Sequence, residues 1–308
     1  MPPPIAFVGG TGRSGTHAVA RLLGHHSRYA YVPLEARFHV NPQGFPDLLA
    51  GAVRPEVFVR RLRGFWWKRV PGGQPLPAVL PRLPLGRRVR GLHKIMSRRR
   101  MDRAVARFKR MWARDPESAC RRLFLDLLWP VAMREGKPGL VEMSTFTVAQ
   151  APTLVRLFPE ARLVYVLRDG RDSGSSKVSM RQKAEHPRDA WEGLRWWAER
   201  LGTGERGVAG VPEDKVLMLS LEELAYGDRE RAYQGLLAFL GIRDEPAIRE
   251  FFEREVNEEN ANRGRWRRGL SESEQAELTK QYERTLDEIE SRGYAAGPVL
   301  RDTYRRLG

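Results

Sequence analysis

The sequence predicts an α/β protein: three layers, α/β/α, around a central parallel sheet, with a basic, mainly helical insertion. Three observations carry this. Short apolar runs alternate with helical stretches along most of the 308 residues, the pattern of a parallel sheet. The first run leads directly into a glycine-rich loop, "FVGGTGRSGTH" at residues 7–17. The positive excess of the chain, a net charge of +16, is confined to one segment that interrupts the alternation.

Taken in order, the first strand is expected at residues 5–8, a short apolar run suited to burial. Gly9, Gly10, Gly12 and Gly15 then permit a tight turn and close approach of backbone to a ligand. "HAVARLLGHH" has helical spacing, with Val19, Leu22 and Leu23 on one face and Gly24 as a stop. Strand, glycine loop and helix start together make an anion site, because free N–H groups converge where the helix dipole is positive. A glycine-rich connection without a ligand has the same outline. Arg13, Ser14, Thr16 and His17, however, place polar side chains where a plain turn needs none. The loop also lacks the lysine of G-x-x-x-x-G-K-[S/T]: counting from Gly10, Gly15 is followed by Thr16 and His17.

Further strands are expected at 29–32, 140–143, 162–167 and 216–219, and helices at 148–158, 190–200 and 229–240. From Arg54 to Arg122 there are 21 Lys and Arg against 4 Asp and Glu, while the remaining chain is nearly neutral. The same segment holds "GFWWKR", the proline-rich "PGGQPLPAVLPRLPLG" and "SRRRMDRAVARFKRMW". Its prolines exclude one continuous helix. Its later part reads as an amphipathic helix, with Ala104, Phe108, Met111 and Trp112 near one face. The organisation expected is a single domain over 1–308, with 36–135 a basic insertion capping the acceptor side. A basic face attracts anionic acceptors, membrane surfaces or nucleic acids; a merely solvated Arg-rich face is the other reading.

One cysteine, Cys120, excludes an internal disulfide and fits a reducing compartment. "MPPPIAFVGG" lacks the pattern of a signal peptide, and no uncharged apolar run is long enough to span a bilayer. A cytoplasmic protein is expected. The six histidines show no ligand spacing with Cys120, so no metal site is expected. Trp191, Trp196 and Trp197 read as helix core, and no RNA-binding signature accompanies the basic residues, so nucleic acid is not an expected partner.

A second candidate site follows the fourth strand in "ARLVYVLRDGRDSGSSKVSM". Arg168 falls at the carboxyl end of the strand, where open α/β sheets bind ligands. Ser176, eight residues on, is expected in the first turn of a helix. A planar fork of donors and a hydroxyl suit a phosphate. "RDGRD" alone also reads as a turn closed by salt bridges. With the first loop it makes two anion sites on one sheet edge, which suits a ligand with two separated phosphates.

These pieces resemble the sulfotransferases that use 3′-phosphoadenosine 5′-phosphosulfate (PAPS), proteins of the P-loop type of fold. The resemblance implies that "GTGRSGTH" (Gly12, Arg13, Ser14, Gly15, Thr16 and His17 within it) holds the 5′-phosphosulfate. It assigns the 3′-phosphate to Arg168 and Ser176. "KVLMLSLEELAYGDRERAYQGLLAFLGI" and "NRGRWRRGLSESE" resemble later family segments, the second a loop over the cofactor that carries Gly264, Arg265 and Trp266. The likeness covers residues 5–35 and 140–293, and the tyrosylprotein and bacterial branch, with arginine in the loop, is nearest in pattern. It implies PAPS as donor, its bisphosphate PAP as product and no metal. A metal-free arginine loop is consistent with a transferring group that bears less charge than a polyphosphate.

The same resemblance makes Glu35, in "RYAYVPLEARFH", the general base, expected just past the second strand and beside the phosphate loop. A carboxylate among arginines stays ionised and able to accept a proton. A surface glutamate paired with Arg37 is the plainer reading, and His39 is the alternative base. Two positions depart from the pattern: Met143 stands where the branch carries a lysine, and Leu221 where a tyrosine is common. Arg13 alone, or a residue such as Lys94 from the insertion, has to supply the missing charge. The acceptor expected is a small molecule, glycan or lipid-linked hydroxyl or amine, anionic ones included, with membrane contact through the insertion. A small-molecule kinase and a non-catalytic binder of adenosine bisphosphate or polyanion are the rival classes.

Overall fold

The computed structural model describes residues 3–69, 89–180 and 186–308. Five strands form one sheet: β1 (Ile5–Gly10), β2 (Tyr29–Tyr31), β3 (Gly139–Met143), β4 (Arg162–Leu167) and β5 (Val216–Ser220). Their order is β2-β3-β1-β4-β5 and every pairing is parallel. Each strand falls within two residues of its expected place.

Because side chains alternate along a strand, the apolar runs feed two cores. Ile5, Phe7, Leu140, Leu163 and Tyr165 enter one cluster with the Pro116–Glu135, Ala151–Leu157 and Ala190–Val208 helices. Ala6, Val8, Val141, Val164 and Val166 enter the other, under the Thr16–Gly24, Arg229–Leu240 and Pro246–Glu255 helices. The helix expected over 148–158 starts later as an α-helix: Val148–Gln150 is a 3-10 turn, and Pro152 sits in the first turn of Ala151–Leu157. Proline is tolerated there because the first N–H groups of a helix have no partner within it.

The insertion is mainly helical. Ser97 caps the Arg98–Trp112 helix by accepting from Arg100 N, and Met101, Ala104, Val105 and Phe108 form its buried stripe. Asp115 caps the following Pro116–Glu135 helix. Both join the first core, with Phe124 set 5.7 Å from Phe7 of β1, ring centre to ring centre. The proline-rich stretch at 71–86 lies outside the described residues. Among the described residues no helix is long and apolar enough to cross a membrane.

Sheet order positions the site. β1 lies between β3 and β4, so the loops leaving β1 and β4 emerge side by side at the carboxyl edge, where open α/β sheets bind ligands. β2 is an edge strand that pairs only with β3, so Glu35 does not start from a strand adjacent to β1 as expected. It arrives by a different route. After β2 the chain crosses the end of β3, with Val32 N donating to Val141 O, Ala36 N to Glu142 Oε1 and Arg37 N to Ser144 Oγ.

Candidate active site

The loop after β1 turns through three left-handed residues, Gly12 (φ 85°), Arg13 (φ 63°) and Gly15 (φ 88°). Glycine adopts this conformation freely, whereas for arginine it is uncommon and strained. A side chain at Gly15 would meet Leu221 Cδ1 at 2.7 Å, so glycine lets the helix start pack against the Leu221–Ala225 helix that follows β5. The Ser14 hydroxyl is buried and has no hydrogen-bond partner. A cavity of about 230 Å³ opens over the start of the Thr16–Gly24 helix, and Arg13, Gly15, Thr16, His17, Arg168, Ser176 and Arg265 all line it. The fold therefore brings the loop and the second motif to one place.

Arg168 and Ser176 reach it from β4 and the next helix. Asp169 caps the Gly170–Val178 helix by accepting from Arg171 N, which starts the helix two residues after Arg168. Ser176 consequently lies near the end of that helix, not in its first turn as expected. Its hydroxyl accepts from Arg13 Nε at 3.0 Å. Arg168 donates to Arg13 O at 3.0 Å through Nη1 and to Ala261 O at 2.6 Å through Nη2. Burial and the nearby charges of Arg168 and Arg265 lower the Arg13 pKa, with Glu35 opposing. A cationic group with like neighbours favours an anion between them.

The C-terminal loop is held by Asp172, whose carboxylate accepts from Gly264 N at 3.0 Å and Trp266 N at 3.1 Å. Arg265 faces the cavity, and its Nη2 donates to Ser179 Oγ at 3.0 Å. The Trp266 ring does not: it is buried in the first core with the Arg171 guanidinium 4.5 Å from its centre. Below the site, buried Glu222 accepts from Asp169 N at 2.8 Å and Ser220 Oγ at 3.1 Å, and burial pushes its pKa up to about 7.

Glu35 approaches the loop at His17. Its Oε1 is 4.0 Å from His17 Nε2, while its Oε2 accepts from Arg37 and from Thr145 Oγ1 at 3.3 Å. Burial raises its pKa, but Arg37, His17 and Arg69 outweigh this and hold the carboxyl below its usual range. Glu35 is thus an ionised carboxylate paired with Arg37, as the plainer sequence reading expects, but enclosed rather than on the surface. His17 keeps a lowered pKa, from desolvation and then the cations around it, against the pull of Glu35.

His39 is fully buried, donating or accepting at Nε2 with Glu142 Oε2 at 3.0 Å and packed among Phe7, Phe38 and Phe124. That is a core position, closed to an acceptor. Met143 is buried in the second core and brings no charge. Lys94 lines a different cavity, with His93, Arg100 and Arg134. The insertion contributes Arg69 instead, whose Nη2 donates to Glu35 O at 2.9 Å. Sequence reading missed Arg69, Asp172 and Glu142. Only Asp172 had a local signal, an acidic residue in the first turn of the helix after Arg168. Among the described residues no group of three or more His, Cys, Asp or Glu could hold a metal ion.

A parallel sheet whose central strand opens an arginine-bearing glycine loop, with a second arginine–serine pair alongside, defines an α/β protein of the P-loop type. The Sulfotransferase family model matches residues 4–246, and the chain belongs to that family. Among curated proteins none matches it. Among solved structures it is similar to a sulfotransferase from Alicyclobacillus acidocaldarius, with TM-score 0.50, 14% identity and coverage of 94% of this chain and 96% of that one. The sulfotransferase domain from the Synechococcus olefin synthase gives TM-score 0.49 and 16% identity, covering 92% and 94%. A mouse sulfotransferase complexed with PAP gives TM-score 0.49 and 11% identity, covering 98% and 88%.

Proposed function

We propose that this protein moves a sulfuryl group from PAPS to a hydroxyl or amine of a small-molecule, glycan or lipid-linked acceptor by in-line displacement, with Glu35 as general base. The observation that carries the reading is the position of Glu35. An ionised, largely enclosed carboxylate lies 4.0 Å from His17 of the phosphate loop and acts electrostatically on Arg13. The residues present fit the donor. The cavity presents the helix start at Thr16 and His17, with its free N–H groups, and Arg13 meets Ser176 and Arg168 through contacts of 3.0 Å beside it.

Bound PAPS supplies an activated sulfuryl group. Glu35 takes the acceptor proton as the acceptor oxygen bonds to sulfur. The electron pair of the breaking S–O bond goes to the 5′-phosphate, where Arg13 and the loop N–H groups neutralise the developing charge. Arg168 and Ser176 hold the 3′-phosphate. Arg265 closes the cavity from the C-terminal loop.

The test is thermal stabilisation by PAP. PAP at saturating concentration raises the melting temperature without magnesium, while ATP does little, because the loop has no lysine for a triphosphate. Equal stabilisation by ATP, or strict metal dependence, would replace this reading with a kinase. Transfer from labelled PAPS across a panel of acceptors then identifies the acceptor.

A further inference from the structure

The cations of the site fall into two groups with Glu35 between them. Arg13 has Arg168 and Arg265 as its like-charged neighbours. Arg69 has Arg37 and Arg90. The first group is accounted for by the donor; the second is not.

Arg69 is only 4% exposed, and its Nη1 is buried without a hydrogen-bond partner. Nη2 is occupied by the Glu35 carbonyl. The carboxylate that Arg69 faces, Glu35, already accepts from Arg37 and Thr145. The Arg69 backbone is fixed by a two-way bridge to Arg90, N to O at 2.8 Å in each direction, which sets the two arginines side by side. Desolvation first, then Arg37 and Arg90, push the Arg69 pKa down to about 10 despite Glu35, so it remains a cation at neutral pH. A buried cation without a full counter-charge is costly, and a buried donor without an acceptor is rare. An oxyanion removes both costs, since the guanidinium fork matches its geometry.

We propose that Arg69 and Arg90, with Arg37, form an oxyanion-binding subsite on the acceptor side of Glu35. The acceptor then carries a phosphate or carboxylate close to the group that receives the sulfuryl. The assignment to the acceptor rests on Glu35 as base; the anion site itself does not. Arg90 is exposed and approaches His17 as well as Arg69, so it forms the open wall through which such a group enters.

The experiment titrates inorganic phosphate, and separately acetate, into the full chain saturated with PAP, by calorimetry. PAP fills the donor cavity, so further saturable binding reports the second site. Phosphate is expected to bind the wild type, with Arg69→Leu weakening it by about tenfold or more, the loss typical of a charge-assisted hydrogen bond. Arg69→Lys keeps the charge and loses less. Arg90→Ser, a change at an exposed side chain that leaves folding intact, weakens phosphate by roughly threefold. PAP affinity stays unchanged in all three variants. Acetate binding with the same Arg69 dependence assigns a carboxylate acceptor; phosphate binding alone assigns a phosphorylated one. No phosphate binding to the PAP-saturated wild type, or binding in Arg69→Leu and Arg90→Ser as tight as in the wild type, overturns the subsite. Failure of PAP to bind sinks the donor reading instead, and Arg69-dependent phosphate binding would still establish the anion site.

Discussion

Glu142 offers the sharpest test of how the site is held. Its carboxylate, fully buried in β3, accepts from Ala36 N at 3.2 Å and Ser144 Oγ at 2.7 Å, and pairs with His39 Nε2 at 3.0 Å. Glu142→Ala removes all three contacts and admits no compensating path to solvent at once. The Ser144 hydroxyl can rotate, but the Ala36 N–H and the His39 ring cannot, and each stranded buried group costs about 1–3 kcal/mol. Together with the cavity left by the side chain, the loss is about 3–5 kcal/mol, a large part of the roughly 5–15 kcal/mol that keeps a domain folded. Ala36 follows Glu35 directly, so the proposed base also loses its anchor. Urea unfolding should show the stability loss. Single-turnover transfer to a phenolic test acceptor should slow by about tenfold or more, since misplacement of a catalytic group by an ångström is that costly. PAP affinity should hold, because the contacts proposed for it follow β1 and β4. Glu142→Gln keeps an oxygen for Ala36 and should be mild on both counts. If Glu142→Ala costs under about 1 kcal/mol, or weakens PAP as much as turnover, the chain segment bearing Glu35 is not pinned in this way.

Glu35→Gln should lower turnover by about 10²–10⁴-fold with donor affinity nearly intact, and less for a nitrophenol, whose proton leaves more readily. His39→Gln should reduce stability and leave the acidic limb of the pH–rate profile unmoved, since the ring is buried against Glu142. Ser176→Ala should weaken PAP by about 1.5–3 kcal/mol, measured by calorimetry, yet scarcely affect an analogue lacking the 3′-phosphate; equal weakening of both would make Ser176 structural. Glu222 has a folded pKa of about 7, above its unfolded value, so it favours the folded state below that unfolded value and loses this as pH rises to 7. At about 1.4 kcal/mol per unit the loss approaches about 3 kcal/mol, and Glu222→Gln should flatten the melting temperature between roughly pH 5 and 8. A wild-type melting curve already flat over that window would contradict the assignment.

What could be read in the sequence was whatever depends on neighbours along the chain. The strands of the sheet are apolar runs closed by glycine or polar residues, and the phosphate loop joins a strand and a helix within 11 residues. Arg168 was legible because the end of a parallel strand is a known place for ligand groups. Strand order was not. Nothing local says that β3, more than 100 residues later, inserts between β2 and β1. The same blindness hid Glu142, Asp172 and Arg69, whose roles come from backbone groups brought to them by the fold. Ser176 was placed a turn too early because Asp169 starts the helix immediately after Arg168. His39 looked available because polar residues surround it in sequence, whereas phenylalanines surround it in space.

The geometry around Arg13 gives a physical reason for arginine in a loop where nucleoside triphosphatases place lysine. Arg13 Nε donates to Ser176, and the Arg13 carbonyl accepts from Arg168, so one residue ties the loop to the second anion position. With Nε so engaged, the guanidinium still has Nη1 and Nη2 to offer a ligand. A lysine has one nitrogen on a flexible stem and cannot hold Ser176 while presenting a planar pair of donors. The left-handed backbone at Arg13 is the cost of that arrangement, and it is the kind of strain that persists where surrounding contacts over-determine it. On the proposed function, two anion positions linked through one side chain would favour a ligand with both phosphates over one with either alone. A triphosphate, which concentrates its charge at one end, gains nothing from the link.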